Sequence, residues 1–340
     1  MQVVGGSNPL VPTRILKRGH TPAFFVFVEE RKERMGREQK GFKNKKSLGQ
    51  NFLVDRNILR HILEQADLSV DDTVLEIGAG QGVLTRELAA SPCSFVFSVE
   101  IDEGLSEYLR DITLLYPNTF SLLWGDALAV DYSSLSPVPT KVVANIPYNI
   151  TTPLLWRLLE QLPEAGTGYF LLMVQKEAAE RITAPPGTKE RYPLGITLEL
   201  MGKARSVRTV HPQSFRPVPA VESSLLEIRL SGMHATLPKD SLWRNLLRSS
   251  FAQRRKKLSN NLRGFYPSVS WSEAFERTEI HENARAEELT GEQWLALWFF
   301  LKTFEKKASP RSEREEAKKE GKRPTLPCPS KLCRAGKQES

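Results

Sequence analysis

Cysteine is scarce in this 340-residue chain: there are three, and only Cys93 lies in the part that reads as folded, while Cys328 and Cys333 sit in a polar C-terminal stretch. So few thiols argue against a disulfide framework and for a reducing compartment. No second Cys or His pair accompanies Cys328 and Cys333, so neither a zinc site nor any other metal site is expected. Long apolar runs are missing as well. The longest near-miss, Phe24 to Val28, is far too short to span a bilayer, and no membrane partner is expected. A signal peptide needs an apolar core and a small-residue cleavage site, and the N-terminus has neither. Together these absences lead to the expectation of a cytoplasmic protein. Met35 is a candidate start of translation.

Acidic residues are missing from two particular stretches. The formal net charge is +8, but residues 1–46 carry 11 Lys/Arg against 4 Asp/Glu and residues 302–340 carry 12 against 6, so residues 47–301 carry 25 against 30. Inside that net-acidic middle, the stretch between Asp240 and Glu273 holds no acid but has Arg244, Arg248, Arg254, Arg255, Lys256, Lys257 and Arg263. Between Glu199 and Glu222 stand Lys203, Arg205, Arg208 and Arg216, again without an acid. A run of like charge is usually a solvated face. Two such runs beside a base-sized pocket would make a phosphate-binding footprint.

What is present is a strand, glycine turn and helix. Thr73 to Ile77 reads as a buried strand leading into Gly78, Gly80 and Gly82, and Val83 to Ala90 as a helix. This is the opening of a doubly wound sheet. A dinucleotide fingerprint needs its third glycine where Val83 stands, so the spacing suits an adenosyl or amino-acid moiety without a pyrophosphate. Taken alone the loop could equally be a tight turn. The next strand, Phe95 to Val99, ends at Glu100, where an acid can accept hydrogen bonds from ribose hydroxyls; Asp102 and Glu103 start the helix that follows. The strand Phe120 to Trp124 ends in Gly125-Asp126. There Asp126 could bind the amino group of an adenine ring or serve as a turn residue.

The fourth strand, Lys141 to Ala144, delivers Asn145-Ile146-Pro147-Tyr148 to the same rim. These four residues alone read as a turn. Strand C-terminal ends are where open α/β sheets bind ligands, and the convergence with Gly78, Glu100 and Asp126 makes the tetrapeptide an active-site candidate. An amine on a flat ring has two N–H donors, which the Asn145 amide oxygen and the Ile146 carbonyl can accept, while Tyr148 offers a stacking face for an unstacked base. A fifth strand covers Tyr169 to Val174. Strands Ser206 to Val210 and Ser224 to Leu230, joined by the loop from His211 to Pro219, suggest a closing hairpin. In that loop Phe215 is either the second face of a base sandwich or a packing residue. From Lys239 the period turns helical, with the basic run Gln253 to Lys257 expected on the second helix. The resulting division is a basic, disordered extension over 1–45, an α/β domain with a Rossmann-like sheet over 46–232, an all-helical domain over 239–303, and a disordered charged tail over 304–340.

Several motifs in order resemble one family, the bacterial small-subunit rRNA adenine N6-dimethyltransferases of the KsgA type. They are residues 46–53 (Lys46 to Leu53), 75–85, 99–102, 125–127, 145–151, 215–224, 251–262 and 285–289. The resemblance implies a class I methyltransferase fold with S-adenosylmethionine as cofactor, contacted by Asn51, Leu53, Gly78, Gly80, Glu100, Asp126 and Asn145. It implies that Tyr148 and Phe215 flank the target base, beside the catalytic Asn145-Ile146-Pro147 segment. The acid-free run already noted places the expected RNA footprint at Arg248, Arg254, Arg255, Lys256 and Lys257. The expected substrate is 16S rRNA in the immature small subunit, dimethylated at two adjacent adenines of the 3′-terminal hairpin loop by a monomeric enzyme. Ile146 stands where the family usually has Leu, and Ala79 where it commonly has Pro. Three rival functions remain at this stage: the related large-subunit rRNA dimethyltransferase, a DNA adenine methyltransferase, and a ribosome-assembly factor that binds RNA without needing catalysis.

Overall fold

Apolar runs punctuated by glycine and acids become the strands. In the computed structural model, which describes residues 48–231 and 240–304, five of them pair in parallel: β2 (Thr73–Ile77), β3 (Phe95–Glu100), β4 (Phe120–Trp124), β5 (Lys141–Asn145) and β6 (Tyr169–Gln175). β2 and most of β6 are buried along their length, as strands covered on both faces must be. The hairpin of β7 (Gly202–Val210) and β9 (Ser223–Leu230) completes a seven-stranded sheet in the order β4-β3-β2-β5-β6-β9-β7, with β9 antiparallel to both neighbours. The strand expected from Ser206 starts earlier, at Gly202, and carries a register shift between Ser206 and Arg208. A separate two-residue pair, β1 (Phe52–Leu53) with β8 (Phe215–Arg216), fastens the N-terminal segment to the loop before β9.

Helices fill the connections, as parallel pairing requires. They are α1 (Arg56–Ala66), α2 (Val83–Ala89), α3 (Ser106–Leu115), α4 (Thr151–Gln161), α5 (Lys176–Thr183) and α6 (Pro193–Met201). Asp55 caps α1 by accepting the Asn57 and Ile58 N–H groups. α6 is buried over most of its surface, with Glu199 exposed. Leu194, Leu198 and Met201 join the core of the sheet, whereas Ile196 joins a second core built by the helices that follow. Only glycine fits at 195, since a Cβ there would stand 2.7 Å from the Ile182 carbonyl.

That second core belongs to α7 (Ser241–Ser250), α8 (Leu258–Arg263), α9 (Trp271–Arg277) and α10, over residues 291–304. One sequence expectation fails here: Gln253 to Lys257 is not on a helix but forms the exposed turn between α7 and α8. The Asn261 side-chain amide takes the Ser250 and Gln253 carbonyls, at 2.6 and 3.1 Å, which a continuing helix would have used itself. Lys257 then adopts an extended backbone before α8 begins. All the described residues fall in one compact unit, 44–340. The expected extension over 1–45, Met35 included, and the tail beyond 304 lie outside the described residues.

Candidate active site

Because β2 to β5 run in parallel, their C-terminal ends share one rim, and a cavity of about 240 Å³ opens there. It is lined by Gly78 and Gly80 after β2, Glu100 and Ile101 at the end of β3, Gly125 and Asp126 after β4, and residues 145–150 at the end of β5, together with residues 48–52. Gly80 has a positive φ of 57° and its N–H donates to Glu100 Oε2 at 2.8 Å; a Cβ here would stand 3.0 Å from the Phe52 ring. The other Glu100 oxygen accepts the Ile101 and Asp102 N–H groups, at 3.0 and 2.9 Å. Three backbone donors thus fix this carboxylate, and its remaining acceptor capacity is available to a ligand.

Asp126 accepts the Leu128 N–H through Oδ1 at 2.8 Å, so it is the turn residue that sequence allowed and a cavity residue as well. Asn145 Nδ2 donates one N–H to the Asn51 carbonyl at 3.0 Å, which fixes the orientation of the amide and of its acceptor Oδ1. Ile146 is buried and its N–H is committed to the Met173 carbonyl at 3.2 Å. Its carbonyl is the polar group it can offer. Tyr148 is half-buried, with its hydroxyl 2.5 Å from Ser223 Oγ, and burial pushes the phenol up so that it stays protonated. The charged residues lining the cavity are Glu100 and Asp126, both acids. Among the described residues a pyrophosphate finds no cation there, whereas a positively charged sulfonium carrying an adenosyl group suits the acids, the glycine loop and the apolar walls at Ile77, Val99 and Ile101.

Two expected residues are not brought to the cavity. Leu53 is buried on β1 and its neighbour Phe52 lines the cavity instead. Phe215 is fully buried in β8, in register with Leu53, so its ring has no open face for a base and acts in packing. Sequence reasoning also passed over Gln50, which lines the cavity and donates to Asp102 Oδ2 at 2.8 Å, and Asn149. Of the expected RNA contacts, Arg248 and residues 254–257 are all exposed, but two already have work in the fold. Arg254 donates to the Lys189 and Arg191 carbonyls, the latter at 3.0 Å, and Lys257 donates to Asn283 Oδ1. Among the described residues no cluster of His, Cys, Asp or Glu gathers as a metal site, and no helix is long and apolar enough to cross a membrane.

Comparison with known proteins agrees with this geometry. The family model of ribosomal RNA adenine dimethylase matches residues 41–303. The ribosomal RNA small subunit methyltransferase A of Clostridium botulinum is 39% identical over 257 residues, covering 74% of this chain and 92% of the relative. Among solved structures, a dimethyladenosine transferase from Plasmodium falciparum superposes with a TM-score of 0.63 at 27% identity, covering 76% of this chain and 98% of that one. The 23S rRNA methyltransferase ErmE gives 0.54 at 27% identity, over 73% and 98%. The match of the family model over residues 41–303 and the 39% identity to a relative covered over 92% of its length make this protein a member of the ribosomal RNA adenine dimethylase family, an S-adenosylmethionine-dependent rRNA adenine dimethyltransferase.

Proposed function

We propose that the chain dimethylates N6 of two adjacent adenines in the 3′-terminal hairpin loop of 16S rRNA, on the immature small subunit, working as a cytoplasmic monomer. The observation that carries the reading is the orientation of Asn145. One Nδ2–H is given to the Asn51 carbonyl, which fixes which way the amide faces, and the Oδ1 acceptor is left for a donor such as an amine. The Ile146 carbonyl takes the second N–H of the adenine amine. Together they pull the nitrogen lone pair out of conjugation and stabilise the positive charge that develops on it, while Tyr148 stacks on the flipped base.

Glu100 would hold the ribose of S-adenosylmethionine and Asp126 its adenine, with Gly78 and Gly80 permitting close approach. When bound, that cofactor supplies a methyl group on a cationic sulfur, already a strong electrophile. Alignment of the amine by Asn145 and Ile146 therefore carries most of the rate, and no strong general base is needed from the chain. Arg248, Arg255 and Lys256 are the exposed cations best placed to meet RNA phosphates, since Arg254 and Lys257 are engaged within the fold.

The likeness to ErmE supports a second reading, methylation of large-subunit rRNA. The higher identity to a small-subunit enzyme favours the first. Offering both unmethylated subunits in one reaction with labelled methyl donor decides between them: label in small-subunit RNA supports the proposal, and label confined to the large subunit overturns it.

A further inference from the structure

Tyr148 opens a single 3-10 turn, Tyr148–Ile150, so its ring stands on a short piece of loop. Its far end is held differently. The hydroxyl shares a hydrogen bond with Ser223 Oγ, which is fully buried at the start of β9. β9 is paired on both sides there, Ser223 standing opposite Gln175 of β6 and Val210 of β7. Immediately before it, Glu222 is tied by its carbonyl to the Lys176 N–H at 3.0 Å and by its carboxylate to Lys176 Nζ at 2.8 Å. The tyrosine ring is thus fixed at both ends, by the loop at Cα and at the hydroxyl by the start of a strand paired on both sides.

The count of hydrogen bonds gives this anchor its meaning. An unmodified adenine amine presents two N–H groups to Asn145 Oδ1 and the Ile146 carbonyl. In each transfer the nitrogen lone pair forms the N–C bond as the C–S bond breaks, its electron pair returns to sulfur, and one N–H proton leaves to water. Monomethyladenine therefore returns to the site with a single N–H and can satisfy only one of the two acceptors. Its placement depends correspondingly more on the aromatic face.

We propose that Ser223 is a positioning residue that fixes the plane of the Tyr148 ring, and that this anchor governs the second methyl transfer more than the first. The inference rests on the reading of the cavity as the adenine N6 site. Ser224 provides the internal control. It is the next residue of β9, equally buried, and its hydroxyl pairs with Ser206 Oγ at 2.6 Å rather than with Tyr148.

The test follows monomethyl- and dimethyladenine over time by nucleoside mass spectrometry, with full-length protein, unmethylated small subunits and S-adenosylmethionine. Cofactor affinity is measured in parallel by equilibrium dialysis. Ser223→Ala and Tyr148→Phe should each slow the second transfer by about five- to tenfold relative to the first, the equivalent of one net hydrogen bond, so that monomethyladenine accumulates. The double variant should be no worse than either single one, cofactor affinity should not move, and Ser224→Ala should keep the wild-type product ratio. An unaltered ratio in Ser223→Ala, an equal change in Ser224→Ala, or additive losses would overturn the anchor while leaving the reading of the site intact. Wild-type protein that makes no methyladenine at all would overturn both.

Discussion

Replacing Glu76 by glutamine should remove a pH dependence that the fold builds into itself. Glu76 sits in the middle of β2, fully buried, with Oε2 accepting the Ser98 hydroxyl and Oε1 without a partner. Burial disfavours its charged form and outweighs the hydrogen bond from Ser98; the nearby Glu100 adds to the effect, and the carboxyl is pushed up to about 7 from an ordinary 4.5. The folded protein consequently keeps this proton where the unfolded chain has lost it. The stabilisation is fully present below about 4.5 and drains away as pH rises through about 7. A rise of about 2.5 pH units at roughly 1.4 kcal/mol each makes the loss ~3 kcal/mol. Glu76→Gln keeps the neutral shape and does not titrate. Urea denaturation at a series of pH values from 4.5 to 8 should therefore find the variant equal to wild type at the acid end and more stable by up to ~3 kcal/mol at pH 8. Parallel stability curves for the two proteins across that range would refute the reasoning.

Other expectations concern the cavity, its RNA contacts and the far edge of the sheet. Asn145→Ala should lower methyl transfer by about two to three orders of magnitude and change rRNA affinity by less than about twofold, measured by filter binding beside turnover. A parallel loss of RNA binding would count against its place at the amine. Neutralising Arg255 and Lys256 together should weaken rRNA binding and reduce the slope of log affinity against log salt by about 2, whereas Arg254→Gln should show mainly as lost thermal stability. Burial opposes ionisation of Glu227, but hydrogen bonds from Arg205 and Arg229 overcome it and hold the carboxyl down at about 2. Its contribution is present above about 4.5 and is lost as pH falls towards 2, so acid titration should destabilise wild type more steeply there than Glu227→Gln.

How much of this was legible in the sequence depended on range along the chain. Strands β2 to β6 announce themselves as apolar runs, and Glu100, Asp126 and Asn145 each follow directly from a strand end, so a local pattern suffices to bring them to one rim. What stayed hidden was decided by distant partners. Phe215 reads equally well as a stacking face or a packed ring until its pairing with Leu53 is seen. The basic turn before α8 reads as helix because its residues favour helix. Its breaking depends on the Asn261 amide and on Arg254 reaching the carbonyls of 189 and 191. Ser223 falls inside the motif 215–224, but a serine at a strand start is ordinary, and its role comes from Tyr148, distant in the chain.

The most direct measurement counts methyl groups on each adenine of the small-subunit rRNA after reaction with wild-type protein and with Asn145→Ala. The account predicts two methyl groups on N6 of each of two neighbouring loop adenines from the wild type and none from the variant. Methylation at other nucleosides, or full methylation by Asn145→Ala, would contradict it.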